Sequence, residues 1–243
     1  GCGSDSQESS ASSGTAASGN SNETSVSASA DSSAGTQSAD GDIYSASVKI
    51  GLSQMSLTTE YQANLTKAIQ AEVEANYPNV ELIVTDADAD AATQVTQVEN
   101  LISQGCDAIL MVPYDRNGCI PAVEAAADAG IPLIELCQET DSEDRTSFVG
   151  SLHYESGEIT MTAIAEAIGG SGKVVYLEGP IGQDSALART EAANDVLAES
   201  YPDIEVVAER VCDWDRAAAM TAVENLIQSG MEFDAIYAES DSM

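Results

Sequence analysis

The chain has 243 residues, 8 basic and 41 acidic, for a formal charge of −33. Eight positive charges on that background cannot build the cationic face a nucleic-acid binder needs, and they disfavour an anionic membrane surface as a partner. Apolar residues make up 43% and aromatics 5%, and no run approaches the roughly 18 apolar residues of a spanning helix. Residues 1–45 hold 15 serines, six acids and no base. Such a stretch buries too little surface to offset chain entropy and reads as a disordered tether. The body from Ala46 keeps 35 acids against 8 bases, a charge of −27 that favours solubility.

From Val48 onward, short apolar runs alternate with amphipathic stretches. Strands are predicted over 48–52, 81–85, 108–112, 133–136, around Phe148, and over 173–177, 205–211 and 235–238. Helices are predicted over 61–76, 91–104, 120–129, 154–168, 186–199 and 216–229. Alternation at these lengths implies parallel sheets, with ligands bound beyond the carboxyl ends of the strands.

The chain also repeats itself. Tyr77-Pro78-Asn79-Val80-Glu81 returns as Tyr201-Pro202-Asp203-Ile204-Glu205, and the Thr96…Gly105 pattern returns as Thr221…Gly230. Asp107-Ala108-Ile109 then matches Asp234-Ala235-Ile236. Order and spacing hold across a whole βαβ unit, so the expected fold is α/β with two similar Rossmann-like lobes facing across a cleft. The expected organisation is a tether over 1–45, an N-terminal lobe over 46–151 and a C-terminal lobe over 152–243.

Five cysteines are present, none in a CxxC pair, which leaves zinc-ribbon and thioredoxin readings without support. Gly1-Cys2, followed by the Ser-rich tether, resembles the mature start of a bacterial lipoprotein. That resemblance implies a removed signal peptide and lipid on Cys2, the chain's sole link to a membrane.

The body, from about Val48 to Met243, resembles the ribose/galactose class of periplasmic-type sugar-binding proteins, the receptors of ABC importers. The resemblance rests on Gly51-Leu52-Ser53-Gln54, Tyr61 at the first helix, Met111-Val112-Pro113 and Ala129-Gly130-Ile131-Pro132-Leu133-Ile134. Ala188-Arg189-Thr190-Glu191, Asp213-Trp214-Asp215-Arg216 and Ala238-Glu239-Ser240-Asp241-Ser242-Met243 continue it in the correct order. It implies a periplasmic-binding-protein type I fold and a sugar or polyol held between the lobes. It further implies an ABC permease as partner, an extracytoplasmic location and a monomer. The chain departs from the family at Val112-Pro113 and Cys137-Gln138, where many pentose binders have Asn-Pro and Asp-Arg, which argues against ribose itself. The family continues past the Asp-x-Met position, so the second lobe reads as incomplete and the chain as C-terminally truncated.

The candidate ligand-binding residues are Gln54, Tyr61, Cys137, Gln138, Arg189, Trp214, Ser240 and Asp241. A sugar needs an aromatic surface for its C–H face and multi-donor groups for its hydroxyls. Trp214, the only tryptophan, suits the first need; flanking acids favour a loop over a core position. Tyr61 serves equally as packing or contact, and Arg189 as a ligand donor or a surface ion pair. Gln54 and Gln138 follow apolar strands, where a solvated turn residue is the plain alternative. Asp241 serves as contact or helix cap.

Other motifs carry less. Asp86-x-Asp88-x-Asp90 imitates a calcium loop but has Ala91 for the required Gly, so an acidic turn capping the next helix is expected. Gly169-Gly170-Ser171-Gly172-Lys173 leads into a strand, unlike a phosphate loop. The lone His153 is expected to be a solvated loop residue, and no nucleophile constellation, cofactor or metal site is expected. Two alternatives remain: a chemosensory sugar receptor, or the effector-binding half of a transcription regulator. The polar tether, standing where a DNA-binding domain would be, weakens the second.

Overall fold

The computed structural model describes residues 46–243; the tether and Cys2 lie outside the described residues. The described residues form eight strands and six helices, alternating except where β5 follows β4. The first half carries β1 (Val48–Gln54), α1 (Glu60–Asn76), β2 (Val80–Asp86), α2 (Ala91–Ser103), β3 (Ala108–Met111), α3 (Ile120–Asp128), β4 (Leu133–Leu136) and β5 (Ser147–Val149). The second carries α4 (His153–Ala167), β6 (Gly172–Glu178), α5 (Asp184–Ser200), β7 (Ile204–Val211), α6 (Arg216–Gln228) and β8 (Ala235–Ala238).

The strands form two parallel sheets, ordered β2-β1-β3-β4-β5 and β7-β6-β8. Central strands buried on both faces must be apolar throughout, and β6 shows the consequence of its period of two. Val174 and Tyr176 face one cluster with Met161, Ala193 and Tyr237; Val175 and Leu177 face another with Ala219 and Leu226. In the first sheet, Leu101, Ile109, Met111, Val123 and Leu133 form the corresponding core. Gly51 lets α2 seat directly on β1, since a Cβ there would stand 2.8 Å from Leu101 Cδ1.

The sequence repeat is a structural repeat, down to single hydrogen bonds. Lys49 N donates to Asp107 Oδ2 and Lys173 N to Asp234 Oδ2, both at 2.8 Å. Asp90 caps α2 by accepting from Thr93 N, and Asp215 caps α6 by accepting from Ala218 N. The acidic turn at 86–90 is thus a helix cap. Each cap follows the same pair of left-handed residues, Asp88-Ala89 in one lobe and Asp213-Trp214 in the other. Trp214 therefore stands where the first lobe has only a methyl group.

Candidate functional site

The carboxyl ends of both sheets meet, and their loops touch. From the loop after β3, Arg116 Nη2 pairs with Asp184 Oδ1 at 2.7 Å, and Arg116 N donates to the Gly182 carbonyl at 3.0 Å. From the loop after β4, Glu139 N donates to Asp184 Oδ2 at 3.2 Å. Asp184, buried at the first position of α5, thereby clasps two loops of the opposite lobe. Gly182, at φ +91°, makes room for it, because a Cβ would run into the Asp115 carboxylate.

Beside this clasp, side chains of both lobes form a continuous chain of contacts. Tyr61 Oη lies 3.5 Å from Cys137 Sγ. The Cys137 carbonyl meets His153 Nε2 at 2.5 Å, and His153 Nδ1 meets Arg189 Nη2 at 3.2 Å. Arg189 Nη1 donates to the Glu239 carbonyl at 2.7 Å, and its guanidinium carbon sits 6.0 Å from the Trp214 ring centroid. Trp214 Nε1 donates to Gln183 Oε1 at 2.8 Å. Gln138 Oε1 faces Ser185 Oγ at 3.4 Å across the cleft, and its amide nitrogen donates to Met55 Sδ at 3.2 Å.

Several buried polar atoms here have no protein partner: both amide atoms of Gln54, Gln183 Nε2, Gln62 Oε1 and Thr59 Oγ1. A buried amide left unpaired costs about 1–3 kcal/mol, so this surface is chemically suited to hydroxyl groups, which both donate and accept. Gln54 is fully buried and Gln138 nearly so, which overturns the solvated-turn alternative for both. Arg189 binds a carbonyl and an imidazole, not a surface carboxylate. Trp214 is half-buried over Gly179, where a Cβ would sit 2.1 Å from the indole.

Two expected residues stand apart. Ser240 Oγ pairs with Ser242 Oγ at 2.7 Å, one residue beyond the Glu239 carbonyl that anchors Arg189, and Asp241 is exposed. His153 requires a correction. It is no solvated loop residue but the half-buried first residue of α4, bonded on both ring nitrogens. Its isolation in the sequence hid this, because the packing of α4 against α5 positions it.

Sequence reasoning also missed Glu239, a 6% exposed carboxylate held by Thr190 Oγ1 at 2.6 Å and Gly179 N at 2.7 Å. Burial raises its pKa to about 7, against the lowering effect of those two donors. An acid directly after an apolar parallel strand was the available signal. Burial also lowers the His153 pKa, while the hydrogen bond to Cys137 raises the Tyr61 phenol to about 12.

Among the described residues no group of three or more His, Cys, Asp or Glu is arranged to hold a metal ion, and no helix is long and apolar enough to cross a membrane. Cys106, Cys119, Cys137 and Cys212 are free thiols. A groove of about 710 Å³ lies at the amino-terminal end of the second sheet, lined by Gly172, Lys173, Phe233 and Asp234. Its lining, charged at Lys173, Asp203, Glu205, Glu232 and Asp234, comes from the second lobe alone.

Two parallel-sheet lobes meeting at their strand carboxyl ends define a class of two-lobed binding proteins. Residues 50–243 match the periplasmic binding protein domain, and the chain belongs to that family. It is 36% identical over 166 residues to a xylitol-binding protein of Mycolicibacterium smegmatis, covering 68% of this chain and 47% of that protein. It is 31% identical over 194 residues to a ribose import binding protein of Bacillus subtilis, covering 80% and 62%. The structure aligns, with a TM-score of 0.76 and 34% identity, with an ABC transporter solute-binding protein of Bacillus halodurans holding myo-inositol. That alignment covers 81% of this chain and 68% of the other. The chain thus spans roughly half to two thirds of the length of the curated relatives it matches.

Proposed function

We propose that the chain is the ligand-binding part of an extracytoplasmic solute receptor. It holds a monosaccharide or polyol between its lobes and presents it to an ABC permease. It binds its ligand without transforming it. The observation that carries this reading is the juxtaposition of Trp214 and Arg189 where the lobes meet, beside Gln183, which accepts from the indole and keeps a buried, unpartnered amide nitrogen. The indole covers an apolar C–H face, while the guanidinium and the glutamine amides match hydroxyls; a ligand lacking one hydroxyl leaves a buried group unpaired. Relatives named for xylitol and ribose, and a structural neighbour holding myo-inositol, support a polyhydroxylated ligand.

Of the expected contacts, Gln54, Gln138, Arg189 and Trp214 form the working set. Tyr61 and Cys137 lie at the edge of the cleft, and Ser240 and Asp241 follow the Arg189 anchor. The tether carries lipid on Cys2 and lets the monomeric receptor work clear of the membrane, with boundaries near residues 45 and 151. Binding closes the lobes and the Asp184 clasp locks them.

The test is a thermal-shift panel of pentoses, hexoses and polyols on the full-length protein, since a ligand of the native state raises stability. Stabilisation by at least one polyhydroxylated compound is expected. A flat panel, with binding of an amino acid or peptide instead, would sink the reading.

A further inference from the structure

The sole histidine of the chain is held in a way that dictates its protonation. The Cys137 carbonyl only accepts, so His153 Nε2 must carry the proton it donates there. The Arg189 guanidinium only donates, so Nδ1 must be bare to accept from Nη2. Both demands are met by one species alone, the neutral imidazole with its proton on Nε2.

The backbone around this contact is firmly seated. Gly157, one turn after His153, lets α4 press onto α5, since a Cβ there would stand 2.8 Å from both Ala192 Cβ and the Arg189 carbonyl. Tyr237 Oη donates to that same carbonyl at 3.0 Å. What remains to be set is the direction of the guanidinium. Three groups set it: the Glu239 carbonyl, the Trp214 ring and His153 Nδ1.

We propose that His153 is a positioning residue: as the neutral Nε2–H imidazole it aims the Arg189 guanidinium into the cleft and ties it to the Cys137 carbonyl of the opposite lobe. The role of Arg189 as a ligand contact rests on the function proposed above. Protonation of the ring turns the Nδ1 acceptor into a donor facing a cation, so the tie breaks in acid. The charged and titratable groups facing the ring are Arg189 and Asp184 from α5, and Glu139 and Cys137 from the loop after β4. Burial and Arg189 favour the neutral ring, against the two acids and the Cys137 hydrogen bond.

Labelled histidine gives one ring in NMR spectra of this 243-residue chain, so the wild type alone supplies the first test. The expected ring carries its proton on Nε2 and titrates below the ordinary imidazole range. A proton on Nδ1 overturns the proposal. The second readout is emission from Trp214, the only tryptophan, which lies against Arg189. His153→Leu removes both contacts and should shift that emission. His153→Gln keeps one donor and one acceptor; it should retain the wild-type spectrum while losing the step that follows the ring's titration. Emission indifferent to His153→Leu overturns the proposal.

Finally, D-ribose, xylitol and myo-inositol are titrated above and below the ring's pKa. Whichever binds should bind roughly tenfold more weakly to His153→Leu at either pH, and the wild type should lose affinity by at least as much once the ring is protonated. The His153→Gln variant should stay close to wild type. Unchanged affinity in His153→Leu overturns the positioning role. If none of the three binds the wild type, the sugar reading of the cleft fails, while the ring and emission results still decide the tie between His153 and Arg189.

Discussion

Asp213 and Trp214 both adopt left-handed backbone torsions, at φ +53° and +59°. For a bulky residue such a conformation is rare and costs on the order of 1–3 kcal/mol. The surroundings enforce it: Asp215 caps α6, and the indole is pinned by Gln183 and the bare face of Gly179. Replacing Trp214 by Ala should therefore weaken ligand binding by about 1–3 kcal/mol, roughly 5- to 150-fold. Stability should fall by less than the about 3–5 kcal/mol typical of a core tryptophan. Calorimetric titration beside denaturant unfolding checks both; a large stability loss with unchanged affinity would return Trp214 to the core. Glu239 makes a second prediction. Its folded pKa of about 7 exceeds the unfolded carboxylate value of about 4.3. Its contribution to stability is therefore fully present below about 4.3 and is lost as the pH rises through the folded value. The Glu239→Gln variant, neutral throughout, should show a shallower decline of unfolding free energy across that window. An identical slope in variant and wild type would remove Glu239 as its source.

At the scale of elements, the start of α5 matters most. Gln183, Asp184 and Ser185 are all buried, although two are strongly polar, because each meets a group from outside its own helix. Gln183 accepts from the indole, Asp184 clasps Arg116 and the Glu139 amide, and Ser185 faces Gln138. Asp184→Asn keeps the shape and removes the charge. Arg116 retains Asp141 Oδ1 at 3.4 Å, so the expected loss is about 1–2 kcal/mol, below that of a wholly orphaned charge. It should emerge as a ligand dissociation rate roughly 5- to 30-fold faster, with association little changed. Stopped-flow measurement of both rates checks this; a purely slower association would show that the clasp does not hold the closed form.

For the whole molecule, the clasp joins the lobes only when the loops after β3 and β4 reach the start of α5, so opening must break these contacts together. A ligand that bridges the lobes shifts the equilibrium by its differential affinity for the closed form. Small-angle scattering of the full-length protein should show a smaller radius of gyration at saturating ligand. No compaction would count against the clamshell. The strong negative charge of the body resists dense packing with other copies of itself.

Local patterning determined the order, type and approximate bounds of all fourteen elements, because a strand buried on both faces and a helix buried on one leave different periods in the chain. It determined the duplication too: the Asp90 and Asp215 caps are short-range and repeat wherever the string repeats, and the Asp107 and Asp234 contacts recur because the whole βαβ unit between the paired strands recurs. The family was legible for the same reason, since its signatures are loop strings at fixed places after strands. Only the tertiary structure decided what meets across the cleft. His153 and Arg189 lie 36 residues apart and Arg116 and Asp184 68 apart, distances over which no local pattern constrains pairing. Burial of Gln54, Glu239 and Asp184 was likewise invisible, because a polar residue is buried for its partners, and those partners come from elements folded back from elsewhere in the chain.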